Sequence, residues 1–377
     1  MNKFHLMHKN DIVANLTIKN DIQGKGYLHV IEVLNKEILS IGTRNTQIDL
    51  DQQITGWNDS RCIPLGRPRY SDILEKFKVS TNSELLPYCY MCSLTDCYWF
   101  KPENSTVTWE DVNFHQNRFS SNLYKHLFYG ELDEPINHLN SADITTDGAL
   151  PKMWQDVNNS FVLIKGKLNG NPIDACYEII ADAIFNDLQI EHVSYELIEI
   201  DGQIYSACEC FICSDQEEFV PIDNLMSDYG YTYQTEIIPR LIEMGFKNEI
   251  DKMMLGDAIL GNLDRHARNY GVIIDSDTQE IKRFAPLFDH NICCLLNNHG
   301  FLIYQPTRET FNKTIPKINS DVLSLAENID LNTVRSIVNS LPLDDNLKIR
   351  MINQLESRIE KIIELSRGQE HDFDRKQ

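Results

Sequence analysis

No stretch of this chain offers the roughly 18 consecutive apolar residues that a membrane-spanning helix needs. Its opening residues, MNKFHLMHKNDIVANL, lack an uninterrupted apolar core and a small-residue cleavage site, so no secretory leader is expected. Positive charge is scarce: 35 Lys and Arg stand against 56 Asp and Glu, for a formal net charge of -21. A surface this acidic repels phosphate backbones and anionic headgroups, which argues against direct nucleic-acid or membrane binding. Ten cysteines without a leader read as reduced thiols, and a cytoplasmic location is expected.

What is present is an ordinary globular composition, 42% hydrophobic and 24% charged, in a chain long enough for two or three domains. Residues 1–130 read as an N-terminal α+β module. Within it DIVANLTI and YLHVIEVL are strand-like, DIQGKG is a turn, and SDILEKF is a helix with Ser71 as its N-cap. Cys89-x-x-Cys92 followed by Cys97 has metal-like spacing, but neither His115 nor Cys62 supplies a fourth ligand in good register. Cys208, Cys210 and Cys213 read as small buried residues in a strand-like run with alternating faces. Trp99 and Trp109 are expected to pin an irregular, aromatic segment to the core, with a peptide groove as the alternative. Residues 130–150 are polar and read as a linker or mobile loop.

Residues 131–230 are more informative. SFVLIKGKL is an apolar strand carrying Lys165, and DACYEIIADAIFNDLQI is an amphipathic helix carrying Glu178, with Ala175, Ile179, Ala183 and Leu188 near one stripe. HVSYELIEI and QIYSACECFI flank Asp201-Gly202 and make a hairpin leading into Glu209-Cys210-Phe211. A strand lysine, a helix glutamate and then a hairpin outline a small lobe that grasps ATP.

Residues 231–377 form a helical C-terminal lobe, and its last helix puts Leu347, Met351, Leu355, Ile359 and Ile362 on one face. The chemistry concentrates at residues 256–291, where Asn262-x-Asp264-x-His266-x-x-Asn269 precedes an apolar hairpin and Asp289. Phosphoryl transfer needs a carboxylate at the attacking hydroxyl and ligands that hold magnesium on the phosphates. Asp264 and Asn269 keep the D-x-x-x-x-N interval of kinase catalytic loops, and Asp289 follows as the distant acid. Magnesium takes oxygen ligands, which suits Asn269 and Asp289 and leaves Asn262 and His266 to brace the loop.

The run Gly261-Asn262-x-Asp264-x-His266-x-x-Asn269, with Ala285-Pro286-Leu287-Phe288-Asp289 after it, closely resembles the HipA family of serine/threonine kinases. Weaker matches run back through Glu209-x-Phe211, Glu178 and Lys165 to Gly148-x-x-x-Lys152, so the resemblance covers roughly residues 140–310 and is loose before that. It implies an α+β, two-lobed kinase-like fold with a mixed β small lobe and a mainly helical C-terminal lobe. Asp264 would be the catalytic base, Asn269 and Asp289 would bind Mg2+, and Lys165 would contact the ATP phosphates. Glu209 and Phe211 would form the hinge that reads adenine, and Gly148 and Ala149, with Asp147, the phosphate-proximal loop. Lys152 and Glu178 would belong to the same nucleotide site. Where the family autophosphorylates a serine, this chain has Thr145, with Thr146 beside it. Family members pair with a small DNA-binding antitoxin and act on translation machinery such as an aminoacyl-tRNA synthetase. Two other readings are a nucleotide-binding regulatory module without turnover, and a kinase acting on a lipid or small molecule.

Overall fold

The computed structural model describes all residues except 1–2, 118–121, 132–138, 159, 168–171, 232–233, 263, 292–316 and 375–377. The chain divides into two compact units, each assembled from separated segments: 1–166, 209–232 and 271–283 in the first, and 167–208, 233–270 and 284–377 in the second. The three consecutive domains expected above follow sequence order, whereas these units exchange chain segments.

The first unit opens on β1 (Lys3–His8), β2 (Asp11–Asn20) and β3 (Gly26–Val33), an antiparallel meander. Helices α1 (Leu50–Arg61) and α2 (Tyr70–Phe77) follow, and β4 (Tyr98–Pro102) then pairs with β1 to give the order β3-β2-β1-β4. One sheet face is apolar because Phe4, Leu6, Leu16 and Leu28 alternate inward and meet Ile54, Ile73 and Leu85. Ser71 is not the cap of α2. The helix begins at Tyr70 behind Arg69, whose left-handed backbone (φ 66) makes the entry turn.

A second apolar cluster explains the aromatic segment. Trp99 and Trp109 are both buried, and their indole N–H groups donate to the Lys9 carbonyl at 2.7 Å and to Asp215 at 2.9 Å. The short helices α3 (Trp109–Val112) and α4 (Asn122–Tyr124) come next. Of the expected mobile loop, residues 139 and 141–146 are buried instead, because Ile144, Asp143 and the two threonines all find partners in this unit. Strands β5 (Lys152–Val157) and β6 (Ser160–Lys165) form an antiparallel hairpin.

In the second unit α5 (Ile173–Asp187) buries Cys176, Tyr177, Ile180, Ala181, Ile184 and Phe185. Of the stripe expected, Ala175 and Leu188 are buried, whereas Ile179 and Ala183 are half-buried, because the face carrying Tyr177, Ile184 and Phe185 turns inward. Strands β7 (Glu196–Ile200) and β8 (Gln203–Glu209) pair around Asp201 and Gly202, both at positive φ, as a two-residue Asp-Gly hairpin requires. The chain returns to the first unit with β9 (Glu217–Pro221) and α6 (Ile222–Ser227). Helices α7 (Gln234–Glu243) and α8 (Lys247–Leu260) belong to the second unit. Strands β10 (Gly271–Asp275) and β11 (Ile281–Phe284) then complete a sheet of order β11-β10-β9. The Cys293-Cys294 run, Phe301 and Tyr304 lie outside the described residues.

The second unit ends in α9 (Ser320–Ser324), α10 (Leu331–Ser340) and α11 (Asp345–Asp374). Met351, Leu355, Ile359 and Ile362 are buried and Leu347, in the first turn, is half-buried, so the last helix packs through the face that its periodicity indicates. Gly256 sits where α8 meets α5, and a Cβ there would overlap the Phe185 ring. Gly261 ends α8 in the left-handed region (φ 64), where a side chain would also strike Arg358. Among the described residues no helix is long and apolar enough to cross a membrane.

Candidate active site

The residues expected to carry chemistry fall into two groups, one in each unit. In the second unit α8 stops at Gly261, and the chain folds back on the last turn of the helix. The Asn262 backbone N–H donates to the Asp257 carbonyl at 2.9 Å, and its side-chain amide donates to the Asp257 carboxylate at 3.0 Å. The Asn262 amide oxygen then accepts the Asp264 N–H at 3.0 Å. Asn262 thus braces the loop, as its place in the motif suggests.

Asp264 and Asn269 are joined directly, since the Asn269 side-chain amide donates to the Asp264 carbonyl at 2.9 Å. His266 is exposed and contributes local turns: its N–H donates to the Asp264 carbonyl, its carbonyl accepts from Asn269, and its Nδ1 accepts the Arg268 N–H at 3.3 Å. Burial raises the Asp264 carboxyl above the usual range. The negative charge of Asp289 adds to that shift, against the opposing pull of His266 and Arg265. Asp264 and Asp289, 25 residues apart in sequence, therefore share one electrostatic neighbourhood.

A group not expected from the sequence ties them together. Arg265 forks onto Asp257 with two bonds of 3.0 Å. The same guanidinium donates to the carbonyls of Asn269 and Phe288 at 2.9 Å and to His290 Nδ1 at 3.0 Å. One planar cation thus connects the end of α8, the Asn269 turn and both neighbours of Asp289. Asp289 has φ 61, and its N–H donates to the Tyr195 hydroxyl at 3.2 Å. The next N–H, that of His290, donates to Glu178 Oε2 at 2.8 Å. Glu178 is fully buried on α5, so its carboxylate holds the segment that carries Asp289. Arg265 lies within the motif and Asp257 four residues before it, but nothing in their spacing says that they pair.

In the first unit, Lys152 and Lys165 are directly opposite each other across β5 and β6, so their side chains share one face of the hairpin. Both are buried. Lys152 donates to the Asp147 carbonyl at 2.8 Å, and Gly148 passes so close to its ammonium that a Cβ would overlap it. Gly148 has φ 104. Arg67, from the N-terminal third, clamps this loop by donating to the Gly148 carbonyl at 2.8 Å and to the Thr146 carbonyl. Burial pulls its guanidinium down to about 10, against the pull of Asp147 and Asp143. Ala149 is exposed.

Thr145 and Thr146 are turned inward. The Thr145 hydroxyl donates to the Cys92 carbonyl at 2.6 Å, and that of Thr146 donates to the Ala142 carbonyl at 2.6 Å while accepting the Trp154 indole N–H at 2.8 Å. In this conformation neither hydroxyl faces solvent. Glu209 is exposed and Phe211 is half-buried against Phe219, where the chain passes from the second unit back into the first. Cys89 and Cys92 join no group of three close ligand atoms among the described residues.

No family model matches this sequence, and no curated protein matches it. Solved structures do. A HipA chain from Shewanella oneidensis MR-1, in a structure of the HipA, HipB and operator DNA complex, aligns with 95% of this chain and 97% of its own at a TM-score of 0.58 and 13% identity. The Helicobacter pylori proinflammatory kinase CtkA aligns with 60% of this chain and 93% of its own at a TM-score of 0.47 and 20% identity. The fold is α+β and two-lobed, similar to that of the HipA chain.

Proposed function

We propose that this chain is an ATP- and magnesium-dependent serine/threonine protein kinase of the HipA type. The observation that carries the reading is the Asp264 arrangement: a partly buried carboxylate beside Asp289, in a loop whose Asn269 and Asp289 segments are held by one guanidinium. The donor set suits magnesium. Asn269 commits its amide nitrogen to Asp264, so its oxygen is the atom that can ligate, and Asp289 supplies a second hard oxygen. Bound there, the ion would neutralise phosphate charge as the phosphoryl group transfers.

The chain's own residues then have distinct tasks. Asp264 orients the acceptor hydroxyl and takes its proton, and burial has already raised its proton affinity for that role. Lys152 and Lys165 give one face of a hairpin two cations suited to a polyphosphate. Glu209 and Phe211 supply the adenine hinge, and Gly148 and Ala149 the loop near the phosphates. The acceptor is a protein hydroxyl, with a component of the translation machinery such as an aminoacyl-tRNA synthetase as the expected class. A net charge of -21 suits a chain that leaves DNA contact to a basic partner, and the similar HipA chain was solved with HipB and operator DNA. A small antitoxin of that kind is the proposed partner.

Labelled ATP supplied with magnesium and a cell lysate should yield phosphoprotein with the wild-type chain and almost none with Asp264→Asn. Equal labelling by the two proteins would sink the proposal. Thermal stabilisation by Mg-ATP without any transfer would instead establish a binding module, and phosphorylated lipid or metabolite in the product spectrum would change the acceptor class.

A further inference from the structure

A buried cluster in the first unit, outside the residues assigned to phosphoryl transfer, has the composition of a metal centre. His8 ends β1, Cys97 immediately precedes β4, and Glu218 lies in β9. Their exposures are 3%, 1% and 2%, and one ligand atom from each lies within 4.8 Å of the other two. We propose that His8 Nε2, Cys97 Sγ and Glu218 form a structural site for a zinc-class divalent cation.

Three separate features of the fold converge on this cluster. Pairing of β1 with β4 sets His8 opposite Tyr98, and the Lys9 N–H bonds to the Cys97 carbonyl at 3.0 Å, so sheet register places the imidazole beside the thiol. The Phe219 N–H donates to the Thr95 carbonyl at 2.8 Å, which seats β9 along the segment leading to Cys97. The Tyr98 ring, 4.7 Å from the imidazole between centroids, fixes the plane of His8. These are main-chain and packing constraints, so the three ligands converge without a metal having to gather them.

The chemistry of the set selects the ion. Imidazole nitrogen, thiolate sulfur and carboxylate oxygen together suit zinc, which accepts all three, whereas calcium and magnesium take oxygen. At present His8 Nε2 and Glu218 Oε1 are 2.5 Å apart, a hydrogen bond in the place where the cation would sit. Two ligands at zinc distance in a tetrahedron are roughly 3.3 Å apart, so the side chains must part by less than about 1 Å. The Cys97 thiol, which donates to the Asp215 carbonyl at 3.4 Å, would exchange that bond for the cation. Binding requires the thiolate and so releases the thiol proton, and affinity falls as the pH is lowered. The bound ion would fasten the N-terminal sheet to β9 within the first unit.

The test uses tag-free full-length protein and cobalt(II) as the probe. The expected result is about one cobalt per chain with a thiolate charge-transfer band. That band should vanish in Cys97→Ser and persist in Cys213→Ser, which removes an exposed thiol instead. Should Cys97→Ser fail to fold, X-ray absorption of the zinc-loaded wild type decides, with one sulfur and the remainder nitrogen or oxygen expected. Absence of the band, its survival in Cys97→Ser, or a shell with no sulfur or with several would each overturn the assignment. Zinc should also raise the melting temperature of the wild type by a few degrees and that of His8→Gln by less.

Discussion

Replacing Arg265 by lysine tests whether the Asp264 loop and the Asp289 segment are held as one piece. The guanidinium makes five bonds of 2.9–3.0 Å, two to Asp257, one each to the Asn269 and Phe288 carbonyls, and one to His290. Lysine keeps the charge but offers a compact ammonium that cannot reach these acceptors from one position. The Arg265 and Asp257 side chains are 7% and 13% exposed, so solvent screens the pair little. Stranding the partner of such a pair costs about 3–5 kcal/mol. One retained charged hydrogen bond returns about 1–2 kcal/mol. The expected net loss is about 2–3 kcal/mol, which is roughly 30- to 150-fold in the population of the aligned loop. Urea unfolding reads the stability, and phosphate transfer from labelled ATP reads the alignment. Crossing Arg265→Lys with Asp257→Asn should reveal a coupling above about 1 kcal/mol. A variant that unfolds at the wild-type urea midpoint and transfers phosphate at the wild-type rate refutes the reasoning.

Three further substitutions separate chemistry from scaffold. Asp264→Asn should slow transfer by about 10² to 10⁴ while leaving the melting temperature equal or higher, because burial disfavours the carboxylate in the folded chain; a large drop in melting temperature would contradict this. Glu178→Ala should lower both stability, by about 2 kcal/mol, and transfer, because the His290 N–H loses a buried acceptor; unchanged kinetics would show that Asp289 is held by other means. Asp143, buried and pushed up from 3.8 to about 6, keeps its proton in the folded chain after the unfolded chain has lost it. Its contribution to stability should therefore fall as pH rises between these values, and the difference between wild-type and Asp143→Asn unfolding curves should show that slope.

Much of the site could be read from short intervals. Gly261 ends a helix, the amide of Asn262 caps a turn two residues on, and Asn269 reaches back five positions to Asp264, so those contacts are made by neighbours in the chain. Lys165 on a strand and Glu178 on a helix were legible for the same reason, as was the Asp201-Gly202 hairpin. On α5 the expected Ala175 and Leu188 are buried, but Ile180 and Ile184 turn inward in place of Ile179 and Ala183, because alanine and isoleucine carry the periodicity equally while only packing against α8 and α10 selects the face.

The sequence alone determined the local elements, the acidic character and the polar motif around Asp264, since all three depend on composition and on residues within a few positions of one another. Tertiary structure decided which distant groups serve them. It made Glu178 the acceptor for the N–H beyond Asp289, and it put Arg67 on the loop of Gly148, some 80 residues away. It closed Thr145 and Thr146 into the interior, and it moved Cys97 from a cysteine series into company with His8 and Glu218. The physical reason is common to all of these. A buried polar group must find a partner wherever strand register and helix packing bring one, and neither is written in the spacing of the residues that meet.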